Sequence, residues 1–321
     1  MSGMIIVDIL RVVCRTAYFS IIKGVSMKNL FTILIIAMLG LISCKDDDTS
    51  TPVSNTTKVT SYDTADAIKG GILYDKFWST EAGYDISDAA KISHLSKYGD
   101  FYRCKQCHAW DLMGTAGSYI NRGPKASTVS TAGRPNVAAT LLPSLSKTPQ
   151  ELFDAIKKST GRRKLTDSSA VTAYSTASPT VGDQMPDYST LLTDAQIWNL
   201  VKYLKEGAVD VTQIYDATYT GTYPSGKASY SSIGKNGDAA AGNTFYTTNC
   251  SGCHGSDGTS IANLDGTTGM TAGKFVRTKP NEAQHKIKFG QLGTSMKSTN
   301  LTINELKNLY KALADTLTFP N

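Results

Sequence analysis

Two copies of one five-residue pattern constrain this chain more than any other feature. Residues 104–108 read Cys-Lys-Gln-Cys-His, and residues 250–254 read Cys-Ser-Gly-Cys-His. Because the 321 residues include only six cysteines and four histidines, this repetition is not expected by chance. A zinc site would place its cysteine pairs roughly 15–20 residues apart, far closer than these two pairs lie. A thioredoxin-like cysteine pair, for its part, needs no histidine after it.

The spacing within each run fits the covalent attachment of a haem. Two thiols can add across the two vinyl groups of one haem while the adjacent imidazole reaches its iron. The sequence therefore predicts two haem c groups, which also lets the protein work outside the cytoplasm without losing its cofactor. The predicted thioether anchors are Cys104 and Cys107 for the first haem and Cys250 and Cys253 for the second, and the predicted axial ligands are His108 and His254.

The N-terminal stretch is typical of a secreted, lipid-anchored protein. A basic start at Met27-Lys28 and the apolar run 30–41 predict a signal peptide that is too short for an ordinary membrane span. Residues 1–26 are then either an upstream over-extension or a real apolar addition. Residues 41–44, Leu-Ile-Ser-Cys, resemble the lipobox of bacterial lipoproteins, which implies a lipid on Cys44. The alternative is a plain membrane anchor with an incidental cysteine.

The segment after the predicted lipid site should be a solvated tether. Lys45 precedes three aspartates and a Ser/Thr-rich run that cannot bury apolar surface. Lysine followed by acids also resembles the surface-export signal of Bacteroidetes lipoproteins, so we expect a location in the bacterial cell envelope, facing the periplasm or the cell surface. With Cys14 in the predicted leader, the cysteines are all assigned and no pair remains for a structural disulfide.

The length and the charge of the chain limit its domain organisation and its possible partners. A hydrophobic content of 40% in 321 residues is that of a globular chain with room for two domains. Residues 1–43 hold four basic residues and one acidic residue, so 29 basic and 26 acidic residues remain. With the propionates of two haems the mature protein would be near neutral, which argues against a nucleic-acid partner. The predicted plan is signal peptide 1–43, tether 44–62, first domain 63–207, linker 208–237 and second domain 238–321.

The first domain offers one methionine in a suitable position to bind haem iron. Capping boxes at Thr148 and Thr193 predict two helices, and Met185 lies in a proline-bearing loop between them. A thioether is a soft ligand suited to haem iron, and it must approach the face opposite His108. Met185 is far enough along the chain to do so, whereas Met113 is too close to His108.

The second domain repeats this order of elements. A helix over about 281–289, Met296 in a loop and a capping box at Thr302 follow the second motif. Met296 is therefore the predicted partner of His254. His285, within the short helix, is its main rival, and Met270 is a weaker one. The first helix of each domain should be capped by Asp63 or Thr64 and by Asp238, and the linker forms either a short β-hairpin or an irregular crossing segment.

By these residues the chain resembles a tandem pair of class I cytochrome c domains, over about residues 63–316. The resemblance implies an all-α fold in which the first helix of each domain crosses the last. The implied contact residues are Gly70, Gly71, Tyr74, Trp198 and Tyr203 in the first domain and Gly242, Phe245, Tyr246, Leu309 and Tyr310 in the second. The family's Gly-Pro turn beside the haem matches Gly123-Pro124, and its proline after the ligand methionine matches Pro186. In the second domain neither proline is present, and Lys297 follows Met296.

The expected function is electron transfer between redox proteins such as other cytochromes, an oxidase or a dehydrogenase. Histidine and methionine ligands favour the reduced iron, and a six-coordinate haem needs no catalytic side chain. Two alternatives remain open: a dihaem oxidoreductase of the peroxidase kind, which needs one displaceable ligand, and a haem subunit of a larger respiratory complex. Thiosulfate oxidation at a cysteine-ligated haem is disfavoured because no mature cysteine is spare.

Overall fold

The protein is largely helical, as predicted. The computed structural model describes residues 60–97, 102–122, 142–162, 164–165 and 185–321. The α-helices of this part are α1 Ala67–Lys76, α2 Ala89–Lys97, α3 Cys104–His108, α4 Pro149–Lys157, α5 Asp194–Lys202, α6 Ala239–Asn249, α7 Ser251–His254, α8 Ala272–Thr278, α9 Pro280–Phe289 and α10 Ile303–Leu313. A π-helical turn, Tyr203–Gly207, extends α5. The predicted signal peptide, Met27, Cys44 and the Gly123-Pro124 turn lie outside the described residues.

The linker forms the short hairpin that the sequence left as one of two options. Strands β1 Asp216–Thr220 and β2 Lys227–Ser231 pair antiparallel, with Thr218 opposite Ser229. Most of the side chains along both strands are exposed. Among the described residues, none of the helices combines the length and the apolar character needed to cross a bilayer.

Helix starts follow the predicted caps with one exception. Capping boxes at Thr148, Thr193 and Thr302 open α4, α5 and α10. Asp238 caps α6 by accepting two backbone N–H bonds. The prediction that Asp63 or Thr64 caps α1 is wrong, because Asp66 accepts from the N–H groups of Ile68 and Lys69. Asp63 instead pairs with Thr60 in the preceding turn.

The first and last helices of each half cross at a glycine, as the resemblance implied. A Cβ on Gly70 would lie 2.0 Å from the carbonyl oxygen of Asn199, and one on Gly242 would lie 2.0 Å from that of Asn308. In each crossing the backbone N–H of the capping aspartate also donates to the side chain of the same asparagine, at 2.8 Å. The two halves therefore share one crossing geometry.

Two apolar clusters form the main cores. The first is built mainly from α1, α4 and α5 and the second from α6, α8, α9 and α10. Phe289 at the end of α9 departs from this division because it belongs to the first cluster, against which the half-buried Leu292 also packs. Its ring occupies the space beside Gly71, where a Cβ would lie 2.3 Å from Phe289 Cδ1. By their contacts the described residues of both halves group into one compact unit.

Candidate haem sites

Each Cys-x-x-Cys-His run is held by a tyrosine eight residues after the aspartate that caps the preceding helix. Tyr74 Oη donates to the carbonyl oxygen of Ala109 at 2.6 Å, and Tyr246 Oη donates to that of Gly255 at 2.8 Å. Both acceptors directly follow the motif histidine and have positive φ angles, 60° and 81°. This turn ends the helix that carries the histidine, so the tyrosine ties the ligand's backbone to the helix crossing.

The first motif lies against the loop that carries its predicted methionine. Cys104 and Met185 both pack against the first apolar cluster. Tyr188, three residues after Met185, donates to the carbonyl oxygen of Tyr102 at 2.7 Å, and its Oη lies 3.7 Å from Cys104 Sγ. Cys107 and His108 are half-buried. Burial raises the pKa of the Cys104 thiol to about 11, the opposite of what a reactive thiolate needs.

The second motif opens onto a cavity of about 440 Å³. Cys250, His254 and Met296 all line it, so three of the four predicted residues of the second site meet at one space, while Cys253 is exposed. Much of the remaining wall is apolar and is formed by Leu264, Ala272, Phe275, Val276, Leu309 and Leu313. A cavity of this volume with an apolar wall and a few polar groups is typical of cofactor sites.

His254 has the properties of a metal ligand. Burial lowers its pKa, so the imidazole is neutral at physiological pH, which is the form that binds iron. Its buried Nδ1 has no hydrogen-bond partner among the described residues. A neutral, half-buried imidazole that shares a cavity with the Cys250 thiol and the Met296 thioether fits a covalently attached haem.

The geometry favours Met296 over both of its rivals. His285 is 1% exposed and does not line the cavity. Its ring packs on Trp110 and Phe289, with centroids 4.6 Å away in each case, and Tyr203 Oη lies 3.5 Å from its Nδ1. Met270 is buried in the second apolar cluster and is likewise not part of the cavity wall. The assignment of Met296 remains a prediction.

The cavity also has a cationic side that the sequence did not indicate. Arg103 and Lys105, on either side of Cys104 in the first motif, line the second cavity together with Lys286 of α9. Lys286 Nζ lies 2.7 Å from Asp75 Oδ2, and Arg103 pairs with the same carboxylate. Burial disfavours the charge on Asp75, but Lys286 and Arg103 outweigh it and hold the pKa of that carboxyl well below its usual range. Only the proximity of Arg103 and Lys105 to Cys104 could have singled them out.

Comparison with known proteins decides the family. The family model described as Cytochrome c matches residues 99–208 and 239–314, more than half of the chain. The chain belongs to the cytochrome c family. No curated protein and no solved structure matches it. As a cytochrome c it is an electron-transfer haem protein with covalently bound haem c, and its two matched segments make it a tandem arrangement.

Each matched segment of this cytochrome c contains one full set of predicted ligands. The first includes the run 104–108 and Met185, and the second includes the run 250–254 and Met296. The crossing asparagines, Asn199 and Asn308, also fall in corresponding places. These two asparagines were not identified from the sequence, although they occupy equivalent positions in the two predicted terminal helices.

Proposed function

We propose that this chain is a membrane-anchored dihaem cytochrome c that relays single electrons between redox proteins of the bacterial cell envelope. The observation that carries the proposal is the meeting of Cys250, His254 and Met296 at one cavity, within a family segment whose counterpart holds the same residue set. Cys104 and Cys107 would anchor one haem, with His108 and Met185 as its axial ligands. Cys250 and Cys253 would anchor the other, with His254 and Met296.

The side chains around each site suit electron transfer. A bound haem c with histidine and methionine ligands exchanges one electron with little change in geometry. Tyr74 and Tyr246 fix the backbone next to each motif histidine. Leu264, Phe275 and Leu309 give the second cavity an apolar wall, and an apolar environment favours the less charged, reduced iron. None of these residues has to accept or donate a proton.

A count of bound haems tests the central claim. The protein should be matured in a host that ligates haem and weighed intact by mass spectrometry, and two haem masses are expected. A Cys104→Ser/Cys107→Ser variant and a Cys250→Ser/Cys253→Ser variant should each lose one haem. The single variants Met185→Leu and Met296→Leu serve as controls, because they remove an iron ligand and leave both thioether pairs. Fewer than two haems on the unaltered chain would refute the proposal.

Redox titration tests the axial methionines. Replacing a thioether with a more basic imidazole stabilises ferric iron, so Met185→His and Met296→His should each lower one of two potentials. His285→Gln and Met270→Leu are the matched controls and should leave both waves in place. If neither methionine variant lowers a potential, the ligand assignment is wrong.

One observation favours the oxidoreductase alternative for the second haem. Met296 lies in a loop in which residues 293–295 and 297–298 are exposed, and no proline follows it. Such a loop lacks the fixed φ angle that Pro186 gives the residue after Met185. Added cyanide or peroxide should leave the spectrum of a pure electron carrier unchanged, whereas rapid peroxide turnover would identify an enzyme that displaces Met296.

The membrane anchor is proposed from the lipobox-like residues 41–44 and has its own test. The lipid on Cys44 would hold the protein at a membrane, and the tether of residues 45–62 would let the haem domains extend away from the membrane surface. Cys44→Ser should move the protein from the membrane fraction to the soluble fraction with its haems retained. Cys14→Ser, in the predicted leader, is the control. Membrane retention of the Cys44→Ser protein would exclude the lipid as the anchor.

A further inference from the structure

The cationic side of the second cavity includes a buried lysine that forms no ion pair with the described carboxylates. Arg103, Lys105 and Lys286 all line this side, and we call these three residues the cationic wall. Within the part of the chain that the structure describes, the carboxylates near them are Asp75, which pairs with Arg103 and Lys286, and the half-buried Glu282. Asp75 already serves both Arg103 and Lys286, and none of the ion pairs among the described residues includes Lys105. The other acid on the cavity, Asp265, is paired with Lys279.

Of the three wall residues, Lys105 is the one whose positive charge is least offset by nearby carboxylates. It is 8% exposed, and none of the described carboxylates forms an ion pair with it. Its Nζ lies 4.4 Å from the centroid of Trp110, and Lys286 Nζ lies 4.7 Å from the same centroid. Two ammonium groups at one ring repel each other, and burial together with repulsion from Arg103 lowers the pKa of Lys105 to about 7. A buried cation in this position needs an anion to offset the loss of water.

The anion that this wall can take is limited by the cavity. The space next to the wall is the one that Cys250, His254 and Met296 line, and it would hold the second haem. An anion bound at the wall must therefore either fit beside that haem or be part of it. A haem has carboxylates of its own in its two propionates. Planar guanidinium and ammonium groups bind carboxylates strongly through charge-assisted hydrogen bonds.

We propose that Arg103, Lys105 and Lys286 form a binding site for the propionate carboxylates of the haem in the second cavity. The inference rests on the proposed function, since it takes for granted a haem on Cys250 and Cys253. It goes beyond that function because two of the three residues flank Cys104, the predicted anchor of the first haem: Lys105 lies within the first motif and Arg103 directly precedes it. The second haem site is then complete only when the first half of the chain is folded against it.

This composite site links the two redox centres through consecutive residues. Cys104 is the predicted anchor of the first haem, and its neighbours Arg103 and Lys105 belong to the wall of the second cavity. The short α3 helix thus contributes to both sites. Positive charge in this wall favours the reduced state of the second haem, so the first motif helps to set the potential of the second centre.

The test uses the full holoprotein with haem labelled by ¹³C at the propionate carboxyl carbons. Lys105→Gln and Lys286→Gln remove one wall cation each, and Lys288→Gln is the matched control, since Lys288 stands on the same helix outside the cavity wall. Reduced-minus-oxidised infrared spectra report the labelled carboxylates. The wave that moves in Met296→His identifies the second haem in potentiometric titration.

In each wall variant we expect a shift of the labelled carboxylate bands. We also expect the ferrous-to-ferric ratio of the second haem at fixed potential to fall about tenfold, which is 59 mV for one electron. Lys288→Gln should change the ratio much less and leave the bands in place. Lys105→Gln keeps the test decisive if Lys286→Gln misfolds, because Lys105 forms no ion pair with Asp75.

The contradicting outcomes separate the two proposals. Two bound haems with carboxylate bands and potentials unchanged in both wall variants would overturn the propionate site and leave the proposed function standing. A potential that responds to added phosphate in the unaltered protein but not in Lys105→Gln would also overturn it, because the wall would then bind an anion from solution. One haem on the unaltered chain would overturn the proposed function itself.

Discussion

His285 shows how a single buried residue couples folding to pH. Its imidazole is enclosed by Tyr74, Trp110, Tyr203 and Phe289, and its Nε2 has no hydrogen-bond partner among the described residues. Burial lowers its pKa to about 3 although Asp75 favours the charged form. The folded protein therefore keeps this imidazole neutral, whereas the unfolded chain takes up a proton below its ordinary pKa of about 6.5.

We expect the stability of the protein to fall in acid partly through this residue. The contribution of the neutral His285 to the free energy of unfolding is fully present above about pH 6.5. It is lost as the pH drops towards 3, at up to about 1.4 kcal/mol per pH unit. Guanidinium unfolding of the holoprotein at pH 7, 6, 5 and 4 should show a shallower decline for His285→Gln than for the unaltered chain. Val211→Ala, which removes buried apolar atoms and no titratable group, is the control and should keep the original slope. Equal slopes in all three proteins would contradict the prediction.

At the scale of elements, the crossing of the first and last helices defines each half of the molecule. A capping aspartate, a glycine four residues later and a tyrosine eight residues later appear as Asp66, Gly70 and Tyr74 in α1 and as Asp238, Gly242 and Tyr246 in α6. The aspartate N–H and the glycine meet one asparagine of the crossing helix. Because the tyrosine of the same helix holds the haem motif, the crossing also sets the position of the motif histidine.

Gly242→Ala should destabilise the second crossing. The new methyl group would lie 2.0 Å from the carbonyl oxygen of Asn308, a backbone atom that cannot move away freely. Overpacking of this kind costs about 1–3 kcal/mol or more, which chemical unfolding of the holoprotein measures. Gly252→Ala is the control, because among the described residues no atom beyond its chain neighbours and its own helix backbone lies within 4 Å of the added Cβ, and alanine favours its helix. Similar stabilities for the two variants would show that the helices can separate without loss.

At the scale of the whole molecule, α9 joins the second half of the chain to the first. Lys286 reaches Asp75, Phe289 fills the space beside Gly71, and Gln284 Nε2 donates to the carbonyl oxygen of Trp110 at 2.9 Å. The partners in the Lys286–Asp75 pair are 211 residues apart in sequence and both are buried. These contacts make α9 a shared element, although it belongs to the second family segment.

Asp75→Asn should weaken the whole molecule. Removing this charge leaves the buried Lys286 without its carboxylate, and breaking a buried pair on one side costs about 3–5 kcal/mol. Unfolding followed by haem absorbance in each half would detect both the loss and any separation into two transitions. Asp194→Asn removes a carboxylate from an exposed pair with Lys157 and should cost less than about 1 kcal/mol. Costs as small as this for Asp75→Asn would show that the junction does not depend on the buried charges.

Local rules were enough to derive the helical class, the cofactor chemistry and most helix starts. The motif spacing at 104–108 and 250–254, the capping boxes at Thr148, Thr193 and Thr302, and the order of motif, short helix and loop methionine are all set by residues within a few positions of one another. Such signals act over one helical turn, so they can be read without knowing what packs nearby. The predicted start of the first helix was wrong, because Asp66 caps α1 and not Asp63 or Thr64.

The amino-acid sequence by itself thus determined two Cys-x-x-Cys-His runs, an all-α class and a repeated plan of elements. Only the tertiary structure decided that Gly71 faces Phe289 rather than the terminal helix of its own half, that His285 is enclosed away from the cavity, and that Arg103 and Lys105 line the second cavity. These outcomes depend on contacts between residues more than a hundred positions apart, which local periodicity does not encode. They arise because α9 buries its apolar and charged residues against the other half of the chain.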